Sequence, residues 1–560
     1  MSIAIRSISE IAIGELPAVL DASVPSPFAA LLEDPEARII YIIELYPYSE
    51  EKANTGSFPA PISSVAIGEF DFKYVGGVES IYISDAGYLT KPTDSPANTS
   101  YLPLTDNPFQ FDVSILNGNE FRGGAPSFGS VRIKNGDKEL DALMGYYWGG
   151  RSVKVYAGSP DFTRSQFVKI FDGLAQSVEG DEDEIIINLS DKQSILESNF
   201  EQNLYEGSGG LDGGEELAGK PKPLVYGACK NVPLTLVDSA NLIYQVHDGS
   251  IEAVTKVFDR GVELTNEGDV ADITGESVSA SSFKTQLSGG YIKLGSNPDG
   301  RITANVQGDN TGGYVDEIGS ITSRLLKTKL DLSNFSDEEI DQGALNAIDQ
   351  SINSSLGFYT QDSTNLKAVI DALFVPAQCY WAFSRLGEFT GGVLGSPSSP
   401  SLTLTADNIE DDSFEVLNVI PPAWRVSIEY DRSWLVQNED DMASGAATAQ
   451  KDFAKQQYRK ITTENRIVRG KTTNAYEVSF STLIDSETDA LAQIARFEQM
   501  YRSQRQVIRI KALKLLFRVF IGDVITLTLD RYGYESGKDF IITNVSEDIE
   551  TASTTLELWG

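Results

Sequence analysis

Apolar and polar residues alternate along most of this chain. The alternation is sharpest in residues 524–529, 540–545 and 554–559, runs dense in β-branched residues with Gly, Asp, Ser and Glu between them. They predict an antiparallel meander, with residues 530–538 as the first connection and Gly533 and Gly537 at its turn positions. The early part of the chain is also β in pattern. Residues 39–45, IIYIIEL, are a nearly continuous apolar run, and 65–74, 80–84, 109–116, 130–134, 152–156, 166–171 and 184–189 follow at short spacing, with Asn135-Gly136 as a turn signal. Strands spaced like this predict a sandwich or barrel. Further strands at 253–258, 290–294 and 301–306 carry a β-rich stretch to about residue 325, with Asn297-Pro298-Asp299-Gly300 read as a hairpin turn.

After Thr328 the period becomes helical. Ser336 and Glu339 form a capping box, and Ile340, Ala344, Leu345, Ile348 and Ile352 share one face. Leu366, Val369, Ile370, Leu373 and Phe374 mark a second helix that ends near Pro376, and residues 379–383 return to strand. Residues 486–503 predict an amphipathic helix with Ala490, Leu491, Ile494, Phe497, Met500 and Tyr501 on its apolar face, followed by a strand at 507–513. A small helix from Lys192 is expected to bury Ile195 and Leu196. The Gly-rich residues 206–219, EGSGGLDGGEELAG, read as a linker or flexible loop.

These elements predict a mainly β (α+β), multi-domain protein with a few packed helices. An N-terminal arm takes residues 1–35, a first β-barrel domain 36–205 and a β-rich inserted domain 206–330. An α+β domain takes 331–430, and a second barrel domain with the long helix and the meander takes 431–560. A length of 560 residues agrees with about three to five domains.

Charge changes the picture more than composition does. Lys and Arg total 45 against 81 Asp and Glu, a net charge of −36. Such a surface repels phosphate at long range, which excludes sequence-independent nucleic-acid binding by the outer surface and leaves a positive patch inside a channel open. The acidity itself serves solubility or adaptation to a saline environment, or lines a wall along which DNA slides without sticking. Two cysteines, Cys229 and Cys379, support neither a disulfide framework nor a metal site and fit assembly in a reducing cytoplasm. The first residues lack the layout of a secretory signal, and no run reaches the roughly 20 apolar residues of a membrane helix.

The candidate chemistry is thin. Residues 214–220 have P-loop spacing, but Pro221 stands where Ser or Thr would hold magnesium, and Glu215 and Glu216 would repel phosphate. His247, the one histidine, precedes Asp248, yet no Gly-x-Ser-x-Gly elbow accompanies the pair, so a packed turn histidine is the expectation. One histidine does not make a zinc peptidase, and Cys229 and Cys379 read as small buried hydrophobes. The acidic runs 181–184 and 439–441 lack the loop glycine and final glutamate of an EF-hand and read as solvated turns. Trp148 is expected to plug a barrel end, and Arg151 to pair with Asp141 or Asp137.

Several stretches resemble the baseplate or tail-tip hub proteins of long-tailed bacteriophages. That family's closing module reads GD-V-x-L, R-x-G, GK-x-F-x-I/V and L-x-L-W. Here stand Gly522-Asp523-Val524-Ile525-Thr526-Leu527, Arg531-Tyr532-Gly533, Gly537-Lys538-Asp539-Phe540-Ile541-Ile542 and Leu556-Glu557-Leu558-Trp559. In the interior, Pro422, Trp424, Val426, Ile428, Tyr430 and Trp434 are similar to P-x-W-x-V-x-V-x-Y … N-W, with Ser433 in place of Asn. Residues 82–99, 129–153 and 220–249 resemble the family as well, and the set runs in order through 75–250 and 420–560. The resemblance implies a non-enzymatic structural hub of a phage tail or gene-transfer-agent-like tail, with no catalytic, cofactor-binding or metal residues. It implies a homotrimer whose two barrel domains per subunit make a near-sixfold ring at the distal end of the virion's tail, assembled in the host cytoplasm. The implied partners are the distal tail protein, the tape-measure protein and tail fibre or receptor-binding proteins, with DNA only in transit. A carbohydrate-binding tail adhesin and a tail-associated peptidoglycan hydrolase are the rival readings.

Overall fold

The computed structural model describes residues 38–49, 77–105, 109–117, 120–121, 123–197, 203–328, 335–362, 365–513, 519–548 and 553–560. The N-terminal arm and the expected strand at 65–74 lie outside them. The largest element is a 15-stranded sheet. Its N-terminal part runs Tyr88–Leu89, Ser100–Pro103, Ile81–Ser84, Ile40–Leu45, Arg151–Gly158, Val168–Gly180, Glu184–Ser190, Ser127–Lys134 and Gln110–Ser114. At Gln110–Ser114 the partner changes from near in sequence to far. That strand pairs antiparallel with Lys538–Asp548, Val113 facing Val545 and Phe111 facing Glu547. Ser553–Trp559, Arg505–Ala512 and Glu415–Ile420 then complete the path, while Val524–Thr528 and Leu402–Thr405 branch from Lys538–Asp548.

The meander near the C-terminus is therefore present as expected, with its middle strand longer than the pattern suggests. The expected barrels are not. No described sheet closes on itself, and the long sheet ends in two different strands, Glu415–Ile420 and Tyr88–Leu89. The cause is the junction: Gln110–Ser114 spends its second edge on Lys538–Asp548, so the early strands do not return to one another. Mainly β, multi-domain architecture stands, and one core serves both parts of the sheet. Phe109, Phe111, Val113, Val131 and Ile133 share it with Ile510, Ile525, Ile542, Leu556 and Leu558, each 2% exposed or less. Burial of such side chains contributes about 1.5–3 kcal/mol apiece.

Two five-stranded sheets form the middle of the chain over a core that includes Val225, Cys229, Val232, Tyr244 and Val246. Residues 297–300 are not a hairpin. Tyr291–Leu294 before them and Ile302–Asp309 after them belong to different sheets, and the Asp259 carboxylate accepts the amides of Asp299 (2.8 Å) and Gly300 (3.1 Å) to redirect the chain. Residues 206–219 are a packed turn rather than a loose linker. Leu211 and Leu217 sit against Tyr205, Val237, Ile243 and Ile273, and Asp212 accepts the Glu206 amide (2.9 Å) and pairs with Lys222 (3.0 Å).

Helices begin earlier than the sequence period suggests, at Ile318–Thr328. The capping box exists, with the Ser336 amide donating to Glu339 (3.1 Å), but it closes a single 3-10 turn, Asp337–Glu339. The next helix, Gln342–Ile352, is capped by Asp341, which accepts the Ala344 amide at 2.9 Å and leaves Ile340 outside. Leu366–Phe374 buries all five residues expected of it. The three-stranded sheet of Arg459–Glu464, Ala423–Tyr430 and Tyr476–Ser481 carries the long helix Glu487–Tyr501 on one face. On that helix Gln493 is buried, and Leu491, expected inward, is half exposed.

Candidate assembly site

The motif tryptophans hold the parts of the molecule together. Trp424 lies between two guanidinium groups, those of Arg425 and Arg469, each 4.2 Å from its ring centre. Trp434 is wedged edge-on to Phe358 (6.2 Å) and Tyr359 (5.6 Å), with Arg432 at 3.9 Å over its ring. Ser433, the departure from the family pattern, accepts a hydrogen bond from Asn231 Nδ2 at 3.0 Å, and Lys230 Nζ reaches Asp431 at 2.7 Å. The loop after Ala423–Tyr430 is thereby fastened to Leu224–Pro233 in the middle of the chain. Trp559 packs edge-on to Phe121 at 5.4 Å under Arg505.

Buried ion pairs do similar work. Arg164, Tyr101 and Tyr46 all donate to Glu44, at 2.7, 2.6 and 2.9 Å. Burial alone would raise the Glu44 carboxyl, and these three donors hold it below the usual range. Arg385, from the hairpin between Cys379–Phe383 and Phe389–Val393, makes a two-pronged pair with Glu547.

The residues singled out for chemistry are absorbed into packing. His247 is 1% exposed; its Nδ1 accepts the Val225 amide at 3.0 Å and its Nε2 lies 3.7 Å from Asp309, not Asp248. Burial opposes ionisation of Asp309, but His247, Thr311 and Arg324 hold its carboxyl low. Asp248 instead accepts from Asn203. Cys229 and Cys379 are buried far apart in different cores, and burial pushes the Cys379 thiol up to about 12 and raises that of Cys229. Residues 215–217 form a 3-10 turn, and no helix follows Lys220. Asp181 accepts the amides of Asp183 and Glu184, both at 2.9 Å, as a turn does. Glu439 pairs with Lys455 at 3.0 Å. Among the described residues, no group of three His, Cys, Asp or Glu side chains is placed to hold a metal, and no helix is long and apolar enough to cross a membrane. Trp148 is buried with its Nε1 donating to Leu143 O (2.8 Å), so it fills the core beneath an open sheet rather than a barrel end. Arg151 lies over the Tyr48 ring at 5.1 Å instead of pairing with Asp141, which accepts from Asn135.

Exposed apolar side chains stand at both ends of the long sheet's main path. Among the described residues Glu415–Ile420 has one strand partner, Arg505–Ala512, and it exposes Val416 (36%) and Val419 (45%). An open recess of about 240 Å³ beside it is lined by Leu116, Leu417, Asn418, Val507 and Glu557. At the opposite end Leu89 and Leu102 are exposed. Free strand edges with apolar side chains template pairing with another chain. The sequence pattern returned the chain to strands from residue 379 onward but did not single out Glu415–Ile420, since EVLNVI has no strict alternation.

No protein-family model and no curated protein matches this chain. Among solved structures, a tail protein from Neisseria meningitidis is 10% identical and covers 83% of this chain and 94% of its own, at a TM-score of 0.32. A 43 kDa tail protein of prophage MuSo2 from Shewanella oneidensis is 9% identical over 82% and 96%, at 0.32. An E. coli type VI secretion component, described as similar to T4 tail proteins gp27 and gp5, is 8% identical over 81% and 72%, at 0.29. The chain is similar to phage tail proteins. At these identities and TM-scores the likeness assigns no role.

Proposed function

We propose that this protein is a structural hub at the distal end of a phage-type tail, a ring of three copies that closes the tail tube. The observation that carries this reading is the long sheet whose main path, among the described residues, ends in two outer strands with exposed apolar side chains, in a chain whose histidine and cysteines are all buried. A monomer gains nothing from such edges, whereas a ring satisfies them. The sequence motifs that resemble hub proteins support it too, because Trp434 packs the loop after Ala423–Tyr430 against Phe358 and Tyr359 and so fastens one strand-rich unit to another. Around the ring, the distal tail protein, the tape-measure protein and fibre or receptor-binding proteins would attach, and DNA would pass through on opening of the ring, a shift between closed and open arrangements.

The test is the mass of the purified chain in solution and its place in the particle. Native mass spectrometry is expected to give a trimer, and immunogold labelling of particles is expected to mark the distal tail tip. A strictly monomeric chain with no label at the tip overturns the reading. Peptidoglycan clearing in a zymogram, or host polysaccharide bound by the free chain, would favour the lysin or adhesin instead.

A further inference from the structure

His247 is the only histidine in the chain, and it is buried where two strands and a helix meet. Its Nδ1 accepts the Val225 amide at 3.0 Å, near the start of the strand Leu224–Pro233. The next amide, that of Asp248, donates to Pro223 O at 2.8 Å, so two neighbouring bonds fix residues 247–248 to residues 223–225. Beyond the other ring nitrogen, Nε2, Asp309 Oδ1 lies at 3.7 Å, at the end of Ile302–Asp309. The second oxygen of Asp309 accepts from Arg324, whose Nη2 also donates to Gly313 O at 3.0 Å. Arg324 belongs to the helix Ile318–Thr328. One imidazole therefore stands between the middle sheets and that helix.

The hydrogen bond at Nδ1 fixes the state of the ring. A ring nitrogen that accepts an N–H carries no proton, so the imidazole is neutral and its single proton is on Nε2, toward Asp309. A second proton can go only to Nδ1. It would face the Val225 N–H, donor against donor, and that amide would lose its acceptor. Val225 is 0% exposed, so the released N–H is a buried donor left without water. The imidazolium would also compete with Arg324 for Asp309. The other ionisable groups at the ring are Tyr226, edge-on at 6.0 Å, and Asp248, whose carboxylate accepts from Asn203 at 2.7 Å.

We propose that His247 is an acid-sensitive clasp, in which protonation of Nδ1 ejects the Val225 amide and loosens both the start of Leu224–Pro233 and its link, through Asp309 and Arg324, to Ile318–Thr328. Imidazole is the side chain whose ordinary range falls between about pH 5 and 8. The clasp is closed at neutral pH and opens as pH falls through that range. It operates within a single copy and so stands apart from the hub reading.

Hydrogen–deuterium exchange of the full-length chain, read by mass spectrometry and corrected for the intrinsic pH dependence of exchange, tests this. Between about pH 7.5 and about pH 5.5, peptides covering residues 224–227 are expected to lose protection tenfold or more. Exchange of the imidazole C2 hydrogen follows the titration of the single histidine in the same samples, and the two midpoints are expected to coincide. Asp349 and Asp191 also titrate at about 6, so the parent chain is compared with His247→Asn. The asparagine carbonyl oxygen keeps an acceptor at the Val225 amide and takes no proton, and protection at 224–227 is expected to stay level across the series. Three results overturn the inference: the variant losing protection as the parent does, the parent holding protection within twofold while the imidazole titrates, or an imidazole that does not titrate above about pH 5. Should circular dichroism show that His247→Asn does not fold, the parent decides alone, and a gap of more than about one pH unit between its two midpoints overturns the inference.

Discussion

Arg385 and Glu547, 162 residues apart, make a buried two-pronged ion pair, with the Nη2 to Oε1 distance 2.6 Å and the guanidinium lying 4.6 Å from the centre of the Phe111 ring. Their side chains are 10% and 1% exposed. The pair ties the hairpin of the helical part to the strand where the two portions of the long sheet meet. Removing one member leaves a charge in the core, which costs about 3–5 kcal/mol, whereas an apolar pair of similar volume is near neutral. Urea denaturation should show Arg385→Met destabilised by about 3–5 kcal/mol, and Arg385→Met/Glu547→Leu with most of that recovered.

The glycine of the Gly522-Asp523 motif has a steric cause. Its φ is +87°, and a Cβ there would overlap the Tyr380 hydroxyl, which donates to Ile521 O at 2.9 Å. Gly522→Ala should lower stability by about 1–3 kcal/mol from backbone strain, more if Tyr380 is displaced, and Gly522→Ala/Tyr380→Phe should recover part of it. Thermal unfolding reads both.

Trp434 is the wedge between the middle of the chain and the small sheet. Trp434→Ala should cost about 3 kcal/mol or more. Limited proteolysis should then cut within residues 431–458 faster than in the parent chain.

Two buried carboxyls are raised well above the ordinary range. Burial pushes Asp349 up to about 6, against the pull of the Gly319 amide (2.5 Å) and with the neighbouring Glu317 charge adding to the rise. Burial likewise takes Asp191 up to about 6. A carboxyl raised in the folded state holds its proton longer there than in the unfolded chain. Its contribution is complete below the ordinary carboxylate range and is lost as pH rises through about 6. Asp349→Asn should therefore flatten the fall in urea midpoint between roughly pH 4 and 6 relative to the parent chain.

Cys229 and Cys379 are shut in and held protonated by burial. A colorimetric thiol reagent should label neither in the native protein and both in denaturant.

Much of the local structure was legible. The meander, the helix Leu366–Phe374 and the fully buried strand Ile40–Leu45 follow from patterns only a few residues wide. Pairing between distant segments was not, since nothing in residues 110–114 names residues 538–548 as their partner. That one partnership turned two expected barrels into one open sheet. The same gap explains the turn at 297–300, where local chemistry says hairpin and Asp259, some 40 residues earlier, decides otherwise. At the candidate site the tryptophan motifs were visible as words, but what each ring touches was not. Glu415–Ile420 gave no periodic signal of its own and fell only under the general return to strands after residue 379.

The junction at Gln110–Ser114 also sets a timetable for synthesis. While the ribosome makes the chain, that strand emerges early and waits, one flank bare, until residues 538–548 leave the exit tunnel more than four hundred codons later. Nascent or prematurely terminated chains carry the bare flank throughout, so chaperone dependence and rapid clearance of truncated products are the expected outcome of a pulse-chase measurement.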